Sequence, residues 1–183
     1  MSPSRPSSPR SALTFAAALT AALALLGAGV TAARSPASSR APGPGAAAST
    51  RQVVRGFLEE VRSGRHPERA AHYFAPVVRA HQVHAEGEAT VERTPANYAA
   101  HVRDFLRAFG DYRFEVVELL VDGDRAYVRW RQTGHDLEPR DGKPATGKPL
   151  VELTSAVYRV EAGRIVEYWV QTDRKGMELQ LAR

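Results

Sequence analysis

The sequence predicts an α+β domain in which about three helices come first and cover the concave face of a curved antiparallel sheet. Three observations carry this. Apolar residues recur at helical spacing between about residues 49 and 109, and after Gly110 the period drops to two. Asp122-Gly123 and Ala162-Gly163 read as two-residue hairpin turns between long alternating runs. Three helices are too few to sandwich such a sheet on both faces. They are expected to lie across one of them, giving a cone whose mouth is a natural apolar pocket.

The elements follow in order. Val53, Val54, Phe57, Leu58 and Val61 mark a first helix from Ser49 or Thr50 to Ser63, stopped by Gly64. His66-Pro67-Glu68 opens a short helix carrying Ala70, Ala71 and Phe74, ended by Pro76. Val77 to His84 reads as a short extended segment and residues 85–93 as a polar loop. Thr94-Pro95 supplies an N-cap and a proline at the first helical position, opening a helix with Tyr98, Val102, Phe105, Leu106 and Phe109. Four strands are expected at Tyr112–Val121, Arg125–Thr133, Leu150–Val160 and Arg164–Asp173, with a long loop over 134–149. A last helical turn over about Lys175–Leu181 closes the chain.

Ahead of this body, Met1–Arg10 is polar and carries Arg5 and Arg10, and Ala12–Val30 is an uncharged run interrupted by Thr14 and Thr20. Val30-Thr31-Ala32 then offers the small residues that signal peptidase reads. Residues 1–32 are therefore expected to be a secretory signal peptide cleaved near Ala32, with an uncleaved membrane anchor as the alternative. Residues 33–50 hold Ser, Pro, Ala and Gly with no large apolar side chain and read as a flexible linker, leaving 51–183 as the folded domain. The predicted location is extracytoplasmic.

The 183 residues carry a net charge of +5, but four arginines and no acid fall within the first 50. The remaining 133 residues hold 21 basic and 20 acidic groups, so the domain is nearly neutral and its charge gives no support to a nucleic-acid partner. No contact with a membrane is expected beyond the leader. With no cysteine, a disulfide framework, a thiol nucleophile and cysteine-ligated zinc or iron–sulfur are excluded. There is no G-x-S-x-G elbow, G-x-G-x-x-G or P-loop. His81 and His84 are an odd number of residues apart, on opposite faces of a strand, so no metal site is expected there.

Several motifs together resemble one family. Ala75-Pro76-Val77-Val78-Arg79-Ala80-His81 is similar to its A-P-x-V-V-x-x-H segment. Gly123-Asp124 through Trp130, followed by Gly134-His135, is similar to its G-D-x-x-x-V-x-W-x-x-x-G hairpin. Tyr158 to Trp169, then Asp173, Gly176 and Leu179-Gln180-Leu181, resembles its closing pattern. From about Gln52 to Leu181 the chain looks like the SnoaL-like branch, the polyketide or ester cyclases, of the NTF2-like superfamily. The resemblance implies an NTF2-like cone, a sheet-to-sheet homodimer and cofactor-free chemistry. In that chemistry an acidic carbon of a polyketide ester is deprotonated and closes onto a carbonyl of the same molecule. It also implies that Asp173 is the general acid/base.

Strict alternation on the last strand puts Ile165, Glu167, Trp169, Gln171 and Asp173 on one face, so if Trp169 lines the cone, Gln171 and Asp173 line it too. Asp173 has a second reading as the N-cap of the closing helix. His81 is a candidate to polarise a substrate oxygen, or a rim histidine without chemistry. Gln171 is a candidate hydrogen-bonding group. Trp130 shares its face with Ala126, Val128 and Gln132, and with Trp169 and Tyr98 it is expected as core or pocket wall. The predicted partner is a small apolar carbonyl compound or lipid-like ligand. The alternative function is a non-catalytic module that binds such a ligand or dimerises.

Overall fold

The computed structural model describes residues 44–139, 142 and 144–182. The leader and most of the linker predicted above lie outside the described residues. Helix α1 (Pro44–Gly56) opens inside the stretch whose composition reads as linker, and runs without a break into a π-helical segment, Phe57–Arg62. The wider turn, closed by Ser63 N–H on Leu58 O (2.9 Å), buries Phe57, Leu58, Val61 and Arg62 together. A 3-10 turn (Pro67–Arg69) leads into α2 (Ala70–Tyr73), and α3 spans Pro95–Phe109. Thr94 caps α3 in a reciprocal box with Asn97. The closing helix α4 is Arg174–Leu181.

Six strands form one curved, unclosed sheet in the order β2-β1-β6-β5-β4-β3. They are β1 Phe74–His84, β2 Gly87–Arg93, β3 Arg113–Asp122, β4 Arg125–His135, β5 Pro149–Glu161 and β6 Arg164–Thr172. The sheet is mixed, because β1 pairs β6 in parallel while the other neighbours are antiparallel. With four helices against this sheet, the domain is the α+β cone that the periodicity predicts.

Besides the parallel β1–β6 pairing in a sheet expected to be antiparallel, three expectations change. Residues 87–93 form an edge strand where a loop was expected. Almost every residue of β2 is exposed, so no buried alternation marks it in the sequence. The β3–β4 turn is Gly123-Asp124, one residue later than the Asp-Gly reading, with Gly123 supplying a φ of 58°. The third change concerns β6. Val160 pairs Ile165 but Arg159 pairs Glu167, so Val166 is an inserted bulge residue. The bulge shifts the alternation by one: Ile165 and Tyr168 face the core, while Glu167, Trp169 and Gln171 face away.

The interior of the cone differs along its length. At the end near the β5–β6 turn, Phe57 packs on Phe74 (5.0 Å), Tyr98 (5.4 Å) and Tyr158 (5.5 Å), with Tyr168 alongside, and the space is filled. At the other end β5 turns inward Leu150, Glu152 and Thr154, and β4 Trp130, Gln132 and Gly134. Gly134 is there for space. A Cβ would stand 2.5 Å from Phe109 O, where β4 passes the end of α3.

Candidate active site

The polar end of the cone is organised by Arg62. Its guanidinium lies over the rings of Phe105 (5.0 Å), Trp130 (5.3 Å) and Phe114 (5.8 Å). It contacts Glu152 Oε1 at 3.2 Å and donates to the Tyr112 hydroxyl at 3.4 Å. Burial opposes its charge, but Tyr112, Tyr98 and Glu152 outweigh that and hold its pKa above the ordinary arginine value. The same cation acts on His101. Burial, and then Arg62 and Arg93, push the imidazole down to about 4, so it is neutral at physiological pH.

From Glu152 the polar contacts continue along the inner face. Thr154 donates to Glu152 Oε1 (3.0 Å) and meets Thr172 across the strand pair (3.0 Å). Gln132 is the cross-strand partner of Glu152. Its side chain is 2% exposed and its Oε1 is buried with no hydrogen-bond partner. Trp130 Nε1 and Arg93 Nε are likewise unpartnered. Gln132 and Glu152 line a crevice too narrow to hold a water molecule, whose other walls are Phe105, Phe109, Gly134, Leu150 and Met177. Met177 comes from α4, none of whose residues is buried. That helix is held down by Gln180, whose amide pairs both backbone groups of Val151 (2.9 Å each), and by Arg174 on Glu86 (2.8 Å).

The residues singled out in the sequence go to different places. Trp130 is buried on the concave face against Arg62, the face the sequence predicts. Tyr98 sits in the filled end, against Phe74 at 4.7 Å. Asp173 is exposed and accepts the Gly176 N–H at 2.8 Å, the helix-cap alternative. His81, Trp169 and Gln171 are on the convex face, because Ala80 and Tyr168, the inward neighbours, occupy the core and the Val166 bulge turns Trp169 and Gln171 out. None of these six lines the cleft. His81 is nonetheless buried, stacked on Trp169 at 4.9 Å, with Nδ1 on Thr90 (2.8 Å) and Glu88 (2.9 Å) and Nε2 on Glu167 Oε1 (3.0 Å).

Arg62, Gln132 and Glu152 were not picked out as site residues. Arg62 follows the last apolar residue of its helix and is four residues past Leu58. Glu152 is two residues from Leu150 and six from Tyr158, the inner-face spacing of a strand. Among the described residues no group of His, Asp and Glu is placed to hold a metal ion, and no helix is long and apolar enough to cross a membrane.

A curved six-stranded sheet with helices over its concave face and a half-apolar, half-polar mouth defines a member of the NTF2-like fold. The SnoaL-like polyketide cyclase pattern matches residues 52–181, and the chain belongs to that family. Solved structures agree. A proposed polyketide cyclase from Acidithiobacillus ferrooxidans is 29% identical with a TM-score of 0.61, over 73% of this chain and 94% of that one. IdmH, a proposed polyketide cyclase from Streptomyces antibioticus, is 25% identical with a TM-score of 0.62, over 73% of this chain and 99% of that one. An epoxide hydrolase of the LEH-like type from M. tuberculosis, at 14% identity, TM-score 0.54 and coverage of 75% and 92%, shares the fold. No curated protein matches the chain in sequence.

Proposed function

We propose that this chain binds a small, largely apolar carbonyl compound in the cone and moves a proton at the carbon beside its carbonyl, the step that opens an intramolecular aldol closure. A carboxylate takes the proton, and the C–H electron pair becomes the C=C of an enolate whose oxygen a hydrogen-bond donor holds. The enolate carbon then forms one C–C bond with a second carbonyl of the same molecule, and the new alkoxide takes the proton back. Substrate and product are isomers, and the reading asks for no cofactor.

One observation carries it: the cleft sets aromatic walls, Phe105 and Phe109, against two polar side chains, Glu152 and Gln132, one of them unsatisfied. No water molecule fits the crevice as it stands, so the reading needs one wall to move, and exposed α4, which carries Met177, is the wall proposed to do so. Asp173, implied as the acid/base by the family, spends Oδ1 on holding that helix. This cap favours a second reading, a binding module without turnover.

The test uses 2-tetralone, a bicyclic ketone, with the domain in D2O. Expected are a rise in melting temperature with ligand and exchange of its α-protons above the buffer rate, followed by NMR. Binding without exchange selects the binding module, and no binding sinks both readings. Export rests on the leader pattern, and N-terminal sequencing of protein recovered outside the cytoplasm checks it. Homodimerisation through the convex sheet is supported by the exposed Leu120 and Leu153 there. Light scattering that shows a monomer at high concentration counts against it.

A further inference from the structure

Resting on the cyclase reading, we propose that Glu152 is the catalytic acid/base and that Gln132 binds the substrate oxygen on which the enolate charge develops. Glu152 is 7% exposed, yet both contacts to its carboxylate, from Arg62 and from Thr154, fall on Oε1. Oε2 has no hydrogen-bond partner among the described residues, and the residue lines the cleft. Arg62, itself wedged among three rings, fixes the carboxylate by one oxygen and leaves the other for a substrate C–H. Glu167 on the convex face is the contrast: Oε1 meets His81 and Arg79 and Oε2 meets Arg159, so neither oxygen is free.

Gln132 supplies the complementary observation. The buried acceptor Oε1, left without a donor, costs about 1–3 kcal/mol, and a hydroxyl on a ligand would supply that donor. The side-chain amide has two donors and one acceptor. Set directly across from Glu152, it can donate to a carbonyl oxygen that becomes an enolate and accept from a neighbouring hydroxyl. The substrate class follows: a flat, apolar compound with two oxygen functions flanking an acidic C–H, a β-dicarbonyl or β-hydroxycarbonyl, that carries a further carbonyl elsewhere in the same molecule for the enolate carbon to attack, its ring against Phe105 and Phe109. Glu152 Oε2 takes the C–H proton, the electron pair moves into the enolate, and Gln132 Nε2 donates to the enolate oxygen. After C–C closure the proton on Glu152 passes to the new alkoxide, so no atom is gained or lost.

The experiment follows 2-tetralone exchange in four variants beside ligand-induced melting shifts. Glu152→Gln should retain ligand binding and lose exchange by about 100-fold or more. Because an amide opposite buried Arg62 can unfold the domain, Glu152→Asp is the companion. It keeps the charge but withdraws the carboxylate by one methylene, and should lower kcat by about tenfold at unchanged KM. Gln132→Leu should lose exchange while leaving the domain as stable as wild type or more so, the reverse of a structural role. Asp173→Asn should exchange within about twofold of wild type, against the 100-fold or more that loss of an acid/base costs. Full exchange in both Glu152 variants, or its abolition in Asp173→Asn, overturns the assignment. Wild-type binding without exchange overturns it too while leaving ligand binding intact. Absence of wild-type binding is failure of the reading beneath it.

Discussion

The two faces of this sheet carry similar polar groups to different ends. On the convex face Glu167 is enclosed by Arg79, His81 and Arg159, His81 is stacked on Trp169, and Arg125 lies over the same Trp169 ring at 5.0 Å. Each polar atom of that carboxylate and imidazole has a partner. On the concave face Arg62 and Glu152 form an equally buried pair, but among the described residues both contacts to Glu152 fall on Oε1 and Gln132 Oε1 has no partner. A satisfied cluster contributes rigidity. A half-satisfied one leaves a buried polar group at a cost, and the proposed function has a ligand complete it. The histidine and tryptophan that look most chemical in the sequence belong to the first kind.

The largest effect that could break this comparison is removal of the concave cation. Arg62→Met leaves Glu152 buried without a counter-charge and should cost about 3–5 kcal/mol in urea unfolding, whereas changing Arg62 and Glu152 together to apolar residues should recover most of that. A neutral single variant would mean that Glu152 is solvated and the concave pair is ordinary surface. Next is the pH response of His101. Its folded pKa of about 4 lies below the unfolded value of about 6.5, so the folded state favours the neutral ring. The unfolded chain therefore binds more protons between the two values. Stability is full above about pH 6.5 and falls by on the order of 3 kcal/mol as pH drops toward 4. His101→Phe should flatten that slope. An unchanged slope would place the proton-sensitive group elsewhere.

On the convex face the expected effects are smaller and leave the chemistry alone. Burial works against the Glu167 charge, but hydrogen bonds from His81 and Arg159 and the charge of Arg79 outweigh it and lower its pKa. A depressed carboxylate contributes stability above its unfolded pKa, near 4.3, and loses it as pH falls through the folded value. Glu167→Gln should cost about 2 kcal/mol at neutral pH and give a shallower acid limb, with tetralone binding and exchange as in wild type. Lost exchange in this variant would join the two faces into one site and dissolve the contrast between them.

How much of this was legible beforehand depends on the strand. β4 and β5 alternate without a break, buried at every second residue from Ala126 to Gly134 and from Leu150 to Val160. The concave placement of Trp130 and Gln132 followed from that period, and the same period applied from Tyr158 backwards leads to Glu152. β6 was misread because one inserted residue, Val166, reverses every side chain after it and leaves no mark in the composition. The His81–Glu167 contact joins residues 86 apart through a parallel pairing, information that no local pattern holds. Arg62 has the i+4 spacing from Leu58 that places it on the buried face, but an arginine at the end of a helix carries no sign of burial in its composition. The fold was therefore legible wherever burial alternates, and the site was hidden wherever register departs from the ideal or burial of a charge leaves no local mark.

The smallest effect concerns the turn that sets up the difference between the faces. Ala162 adopts φ 48° and Gly163 φ 73°, two positive values in the two-residue loop joining β5 to β6. An alanine in that conformation costs roughly 1 kcal/mol, which asparagine or glycine largely avoids. Ala162→Asn should therefore raise stability by about 1 kcal/mol and the melting temperature by about 3 °C. Ala162 lies ten residues along the chain from Glu152, about 33 Å at strand rise, so exchange and ligand binding should not move. Gly163→Ala, the mirror substitution, should lose stability by a similar amount. If Ala162→Asn instead alters exchange, the strained turn and the Val166 bulge beside it act as one unit. The register of β6, which separates Tyr168 inside from Trp169 outside, would then be held partly by that strain rather than by the core packing of Ile165 and Tyr168.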